Sequence, residues 1–186
     1  MTTALSNSPA LVALCLLALA GTAVCAQEAP PEPGDYRVLD YRTATPLTLK
    51  GARVVTTAEA HELWLAHAAF VDVLPQAPRP ANLPASTVWR DKPRFDIPGS
   101  IWLPDTGYGQ LPTLTEDYFE SGLEKISGRD KTKPVVIYCL TSCWMSWNAA
   151  RRAISYGYSQ VVWFPDGTDG WDASGYPLEP RKPEPR

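Results

Sequence analysis

Residues 135–157 read VVIYCLTSCWMSWNAARRAISYG. Val135 to Tyr138 is an unbroken run of β-branched and aromatic residues, the clearest strand in the sequence, and Lys133-Pro134 marks the loop that enters it. A strand that is apolar throughout, rather than at every second position, is buried on both faces, as interior strands of parallel sheets are. From about Ser146 to Tyr156 the pattern turns helical, and Gly157 closes it. Between strand and helix lies a short segment with two cysteines, Cys139 and Cys143.

Working outward, Phe70-Val71-Asp72-Val73-Leu74 and Val161-Val162-Trp163-Phe164 read as two further buried strands. Thr56 and Glu59 stand at capping-box spacing, which predicts a helix from there to about Ala69. Thr115, followed by Glu116 and Asp117, predicts the start of a helix with Phe119, Leu123 and Ile126 on one face and Gly128 after it. Strands that alternate with helices imply an α/β fold in three layers, a mainly parallel central sheet covered on both sides. Sites in such sheets form where strand C-termini meet helix N-termini, and Cys139 lies at one of these junctions.

The chain has 186 residues and 45% hydrophobic content, enough for one domain with a real core. Met1 to Ala26 carries an apolar run from Leu11 to Leu19 and small residues before Gln27, the pattern of a cleaved secretory signal. The run is too short to span a membrane, so no span is expected after cleavage. The expected division is a signal peptide over 1–26, an N-terminal extension over 27–50, the folded domain over 51–180 and a tail over 181–186. The proline-rich stretches at Ala29–Pro33 and Pro180–Arg186 read as solvated. Net charge is −3 with no basic block, which argues against a nucleic-acid partner.

Loss of residues 1–26 removes Cys15 and Cys25 and leaves Cys139 and Cys143 as each other's only intramolecular partners. A bridge across so short a loop stabilises little, so in an oxidising compartment this pair reads as functional rather than as a staple. The amides of a strand-to-helix loop can form an anion-binding nest that favours a thiolate or persulfide. By position, Cys139 is expected to be the more nucleophilic thiol and Cys143 to act second. Leu140, Thr141, Ser142, Trp144, Met145 and Ser146 are the other loop residues expected to meet a substrate. Ser146 also reads as a helix cap, and Trp144 and Trp147 as packing residues. The long connector Pro75–Pro98 adds Arg90 and Arg94, which, packed across the loop mouth, would supply positive charge. Asp72 reads as a structural carboxylate at its strand end. Nothing pairs His61 or His67 with the cysteines as a base.

From Val54 to Leu178 the chain resembles the rhodanese homology family. The resemblance rests on Phe70-Val71-Asp72-Val73, on Asp96-Ile97-Pro98-Gly99-Ser100-Ile101-Trp102-Leu103-Pro104, on Val135–Cys139 with the following Ala149-Ala150 and Gly157-Tyr158, and on Gly167-Thr168-Asp169-Gly170-Trp171 with Gly175-Tyr176-Pro177-Leu178. It implies a rhodanese-like fold and makes Cys139 the sulfur-carrying cysteine. The loop departs from the family pattern: it lacks the usual Arg, is one residue longer and holds a second cysteine. Cys139 to Ala150, CLTSCWMSWNAA, together with Trp89–Phe95, is more similar still to the periplasmic Cys-Trp-motif proteins associated with pyrroloquinoline-quinone-dependent alcohol catabolism. That resemblance implies a periplasmic protein with a genomic and metabolic association rather than a reaction; the reaction class read for the Cys139/Cys143 loop is sulfurtransferase or thiol redox chemistry. Its partners would be a small sulfur species or a periplasmic protein thiol, and components of a quinoprotein dehydrogenase system. Two alternatives stay open: a non-catalytic accessory protein of such a system, and Cu(I) handling by the two thiolates. No cofactor and no resident metal are assigned.

Overall fold

The computed structural model describes Met1 and residues 29–186; the expected signal segment and Cys15 and Cys25 lie outside the described residues. The central sheet has five strands: β1 (Ala52–Val54), β2 (Ala69–Asp72), β4 (Ile101–Trp102), β5 (Val135–Tyr138) and β6 (Val161–Phe164). Their order is β1-β6-β5-β2-β4 and every pairing is parallel. β5 is therefore the middle strand, as its unbroken apolar run requires, and Val136 is fully buried.

Side chains alternate across β5. Val135, Ile137 and then Cys139 enter one core with helices α2 (Thr113–Ser127) and α3 (Trp144–Ser155), while Val136 and Tyr138 enter the other. The second core holds Ala60 of α1 (Thr57–Leu65) and Trp171 of α4 (Gly167–Ala173). The three-layer α/β architecture is thus the one expected.

Three helix boundaries differ from those expected, two for local reasons and one through a remote backbone contact. α1 starts at the expected capping box, with Thr56 as N-cap and Glu59 reciprocating, but ends at Leu65 rather than near Ala69. His67 adopts a left-handed φ of 57° and the chain folds back, Ala68 N–H donating to Leu63 O. α2 starts at Thr113 behind Pro112, two residues before Thr115. α3 starts at Trp144 with Cys143 as N-cap, so Ser146 is not the cap. The acceptor that allows the early start is remote: Trp144 N–H donates to Tyr41 O at 2.9 Å.

Both proline-rich ends are docked, not solvated. α3 projects a row of donors onto the N-terminal segment: Trp147 to Thr48 O, Asn148 to Arg37 O and Arg151 to the carbonyls of Pro33 and Gly34. At the other end, β7 (Glu179–Arg181) pairs antiparallel with β3 (Arg94–Asp96), and Glu184 N–H donates to Trp102 O. Prolines without N–H groups lose little in such straps, because side chains and isolated carbonyls make the bonds. Among the described residues, no helix is long and apolar enough to cross a membrane.

Candidate functional site

Cys139 follows β5 and continues its inward alternation, so its side chain lies under α3 and is fully buried. The chain then reverses through Leu140, Thr141 and Ser142, the last with a left-handed φ of 50° that costs a non-glycine residue about 1 kcal/mol. The reversal brings Cys143 back over Cys139, and the two are joined by a disulfide with the α-carbons 6.3 Å apart. That separation lies inside the roughly 7 Å that a disulfide permits. Cys143 is 2% exposed and Cys139 0%, so neither sulfur is open to solvent in this state.

Cys143, not Cys139, is the residue that caps the twelve-residue α3, where the partial positive charge of the helix terminus stabilises a thiolate. This placement argues for Cys143 as the more nucleophilic thiol where position along the chain argues for Cys139, and selective alkylation of the reduced protein decides between them.

The expected site residues divide into two groups. Leu140 is half-buried and Thr141 and Ser142 are exposed at the loop tip. Trp144, Met145 and Ser146 are buried and hold the loop from behind. Trp144 donates its indole N–H to Thr43 Oγ1 and Ala44 O, and Ser146 Oγ donates to Cys143 O while accepting the Trp163 indole N–H. Arg94 comes near the loop; Arg90 is exposed and absent from the groove beside it.

The clamp that fixes the loop from the front comes from the start of α4, which carries residues not expected at the site. Leu140 bridges Gly167, Thr168 N–H donates to Cys139 O at 3.0 Å, and Asp169 Oδ2 accepts Thr141 N–H at 3.1 Å. The stretch Gly167–Trp171 is visible in the sequence as a landmark, but nothing local says that it faces the cysteines.

On the other side of the sheet a polar network sits directly behind the loop. Arg94 Nε donates to Asp72 Oδ2 at 2.6 Å, Arg94 Nη2 donates to Thr168 Oγ1 at 3.1 Å, and Asp72 Oδ1 accepts Leu74 N–H as expected of a structural carboxylate. Asp96 is also buried; its Oδ1 accepts Ile97 N–H and the Tyr138 hydroxyl, and its Oδ2 has no partner. Two carboxyls thus share one guanidinium. Burial, and then the neighbouring Asp72 charge, push Asp96 up to about 8, against the opposing pull of Arg94. Burial raises Asp72 too, again opposed by Arg94, and burial with the two carboxyls holds the Tyr138 hydroxyl well above its ordinary value.

The sign of the stability effect follows. An acid raised in the fold keeps a proton that the unfolded chain releases, so its contribution is whole below the unfolded value of 3.8 and drains away as pH rises toward about 8. Asp96→Asn keeps an acceptor for Ile97 and Tyr138 and cannot ionise. Urea unfolding of this variant between pH 4 and 8 is expected to show a flatter fall in stability, by up to one proton, and a more stable protein at pH 8. An unchanged slope would place the carboxyl in water.

Two grooves flank the loop. One, of about 400 Å³, runs past Leu140, Thr168 and Asp169 between Leu74–Ala77 and Asp91–Phe95. The other touches Thr141 and Ser142 and is lined by Ala44–Leu47 and Asp166. Among the described residues no group of three or more His, Cys, Asp or Glu side chains is placed to hold a metal ion.

The sequence model of the rhodanese-like domain matches residues 32–174, well over half of the chain and including most of the N-terminal strap. None of the curated proteins matches. Among solved structures, the chain is similar to the 30 kDa polysulfide-sulfur transferase homodimer of Wolinella succinogenes, at 21% identity and a TM-score of 0.44, over 69% of this chain and 79% of that one. It is also similar to an uncharacterized protein of Saccharomyces cerevisiae, at 21% identity and a TM-score of 0.40, over 66% of this chain and 92% of that one.

Proposed function

Since the chain belongs to the rhodanese-like domain family, we propose that it handles sulfur at the Cys139–Cys143 loop, by thiol–disulfide exchange or by passing a sulfur atom. The observation that carries this reading is the disulfide closed between a strand end and a helix N-cap, at the junction where open α/β sheets place their sites. A partner thiolate attacks the N-cap sulfur, Cys143, and Cys139 leaves and later resolves the mixed disulfide. The loop lacks an arginine of its own, so sulfur would be held by backbone dipoles alone. We place the protein in the periplasm after cleavage near Ala26, serving pyrroloquinoline-quinone-dependent alcohol oxidation, as the CLTSCWMSWNAA resemblance implies.

A second reading has its own support. Both sulfurs are buried and α3 is pinned from outside, which favours a disulfide kept as a staple; the protein would then be the non-catalytic accessory of a quinoprotein system that the resemblance allows. Intact-mass analysis of the protein taken from its native compartment under acid quench separates them. Exchange predicts a mixture of disulfide with reduced, persulfidated or mixed-disulfide forms. A single disulfide species under every redox condition of growth would sink the exchange reading.

A further inference from the structure

The surroundings of the loop discriminate among sulfur partners, an inference that rests on the exchange chemistry above and names its partner class. Several of the groups that would bind a free sulfur anion are already engaged within the chain, among them the Trp144 N–H, which donates to Tyr41 O. Thr141, exposed at the loop tip, gives its N–H to the Asp169 carboxylate. Arg94 is engaged by Asp72 and Thr168, with Asp96 a further 4.0 Å contact. On the opposite flank of the tip stands Asp166, and Asp172 lines the groove beyond Asp169. The remaining cation of this groove, Lys92, stands among three acids, Asp91, Asp169 and Asp172, while Arg181 and Lys182 line the adjoining groove. An approaching anion meets carboxylates on both flanks and a guanidinium whose charge is spent; a cationic partner meets the reverse.

Shape argues the same way. The groove beside Leu140 is open and about 400 Å³, with apolar wall from Leu74, Leu178 and the half-exposed Phe95. A small sulfur anion would leave most of it unfilled, whereas a few residues of extended chain would cover the apolar wall and set cationic side chains against the acids.

We propose that the loop exchanges with a cysteine carried on a basic polypeptide segment that lies in the groove between Leu74–Ala77 and Asp91–Phe95, and not with a free sulfur anion. The partner thiol first gives its proton to solvent. Cys143 is 2% exposed in the closed loop, so the exposed tip Thr141–Ser142 must first move aside to uncover it. The thiolate then attacks Cys143 Sγ; the partner–Cys143 S–S bond forms, the Cys139–Cys143 bond breaks, and Cys139 departs with the electron pair and is protonated by water. The disulfide is the oxidant and the partner thiol the reductant, so no further reagent enters this step.

The test uses the purified oxidised protein and two synthetic peptides, one with lysines flanking a single cysteine and one with glutamates. Each rate of disulfide opening at low ionic strength is divided by that peptide's rate with hydroxyethyl disulfide, which removes differences in intrinsic thiol reactivity. The normalised Lys-peptide rate is expected to exceed the Glu-peptide rate about tenfold or more and to converge on it in high salt. Asp172→Asn, an exposed change, is expected to shrink the ratio severalfold; Asp169→Asn should do so as well. If both peptides react with a normalised ratio of one or below, or if Asp172→Asn leaves the ratio unchanged, this proposal is overturned while exchange itself stands. If neither peptide opens the disulfide of the folded protein, both fall together.

Discussion

Gly167→Ala is expected to lower the melting temperature by roughly 6 to 12 °C, the equivalent of about 3 kcal/mol in a chain of this size. Gly167 has φ of 54°, and a β-carbon there would lie 2.2 Å from Cys139 O, 2.7 Å from its carbonyl carbon and 3.0 Å from Leu140 Cα. All three are backbone atoms of the cysteine loop, with no flexible side chain to yield. The left-handed conformation alone costs an L-residue about 1 to 2 kcal/mol, and loss of the bond from Thr168 N–H to Cys139 O adds about 1. Gly175→Ala is the control: φ is 75° but nothing lies within 4 Å, so it bears the conformational cost without the clash. Thermal unfolding of the two variants side by side should show Gly167→Ala well below Gly175→Ala. Equal melting temperatures would mean that α4 does not clamp the loop.

The second large effect is on reactivity. With the protein reduced and a limiting amount of iodoacetamide near neutral pH, Cys143→Ser is expected to lose the fast alkylation, and Cys139→Ser to retain it about tenfold faster than the surviving thiol of the other variant. The cause is the N-cap: only Cys143 stands at the terminus of α3. Serine is itself a good N-cap, so Cys143→Ser should fold, and the comparison is not confounded by loss of the helix. Cys139→Ser should also accumulate a mixed disulfide at Cys143, because the resolving thiol is gone. Faster alkylation at Cys139 would restore the order that sequence position alone suggests.

What the sequence reveals of this protein is what short-range periodicity controls. β5, β6, their two-faced burial and the capping box of α1 follow from patterns within a dozen residues. The β3–β7 ribbon does not, because Arg94–Asp96 and Glu179–Arg181 are short, polar and far apart in the chain, and neither has a strand signal. The N-terminal strap is missed for a related reason. Its prolines read as solvated, whereas the donors that bind it sit about a hundred residues away or more on α3.

The site divides along the same line. Cys139 and Cys143 are legible from composition and from the strand-to-helix junction. That Cys143, not Ser146, caps α3 depends on a carbonyl of Tyr41. That Asp169 takes the amide of Thr141 depends on where α4 packs. Arg94 was legible as a cation near the loop, but its charge is consumed by Asp72, and the pairing follows from β2 and β3 meeting in space. The unpartnered Oδ2 of Asp96 left no sequence signal at all.

Whether the disulfide is a working group or a staple comes down to whether it opens in the folded protein. So short a loop holds little chain entropy, below the roughly 3 kcal/mol of a 15-residue loop in the chain-entropy model, so reduction should leave most of the stability in place. The decisive measurement is equilibration in glutathione buffers of graded potential, with the Cys139–Cys143 redox state read by thiol trapping and the fold read by near-ultraviolet circular dichroism on the same samples. A reversible transition within the glutathione range, with the aromatic spectrum retained in the reduced form, is the result expected here. A disulfide that resists the most reducing buffer until denaturant is added, or a spectrum that collapses as the thiols appear, would contradict it.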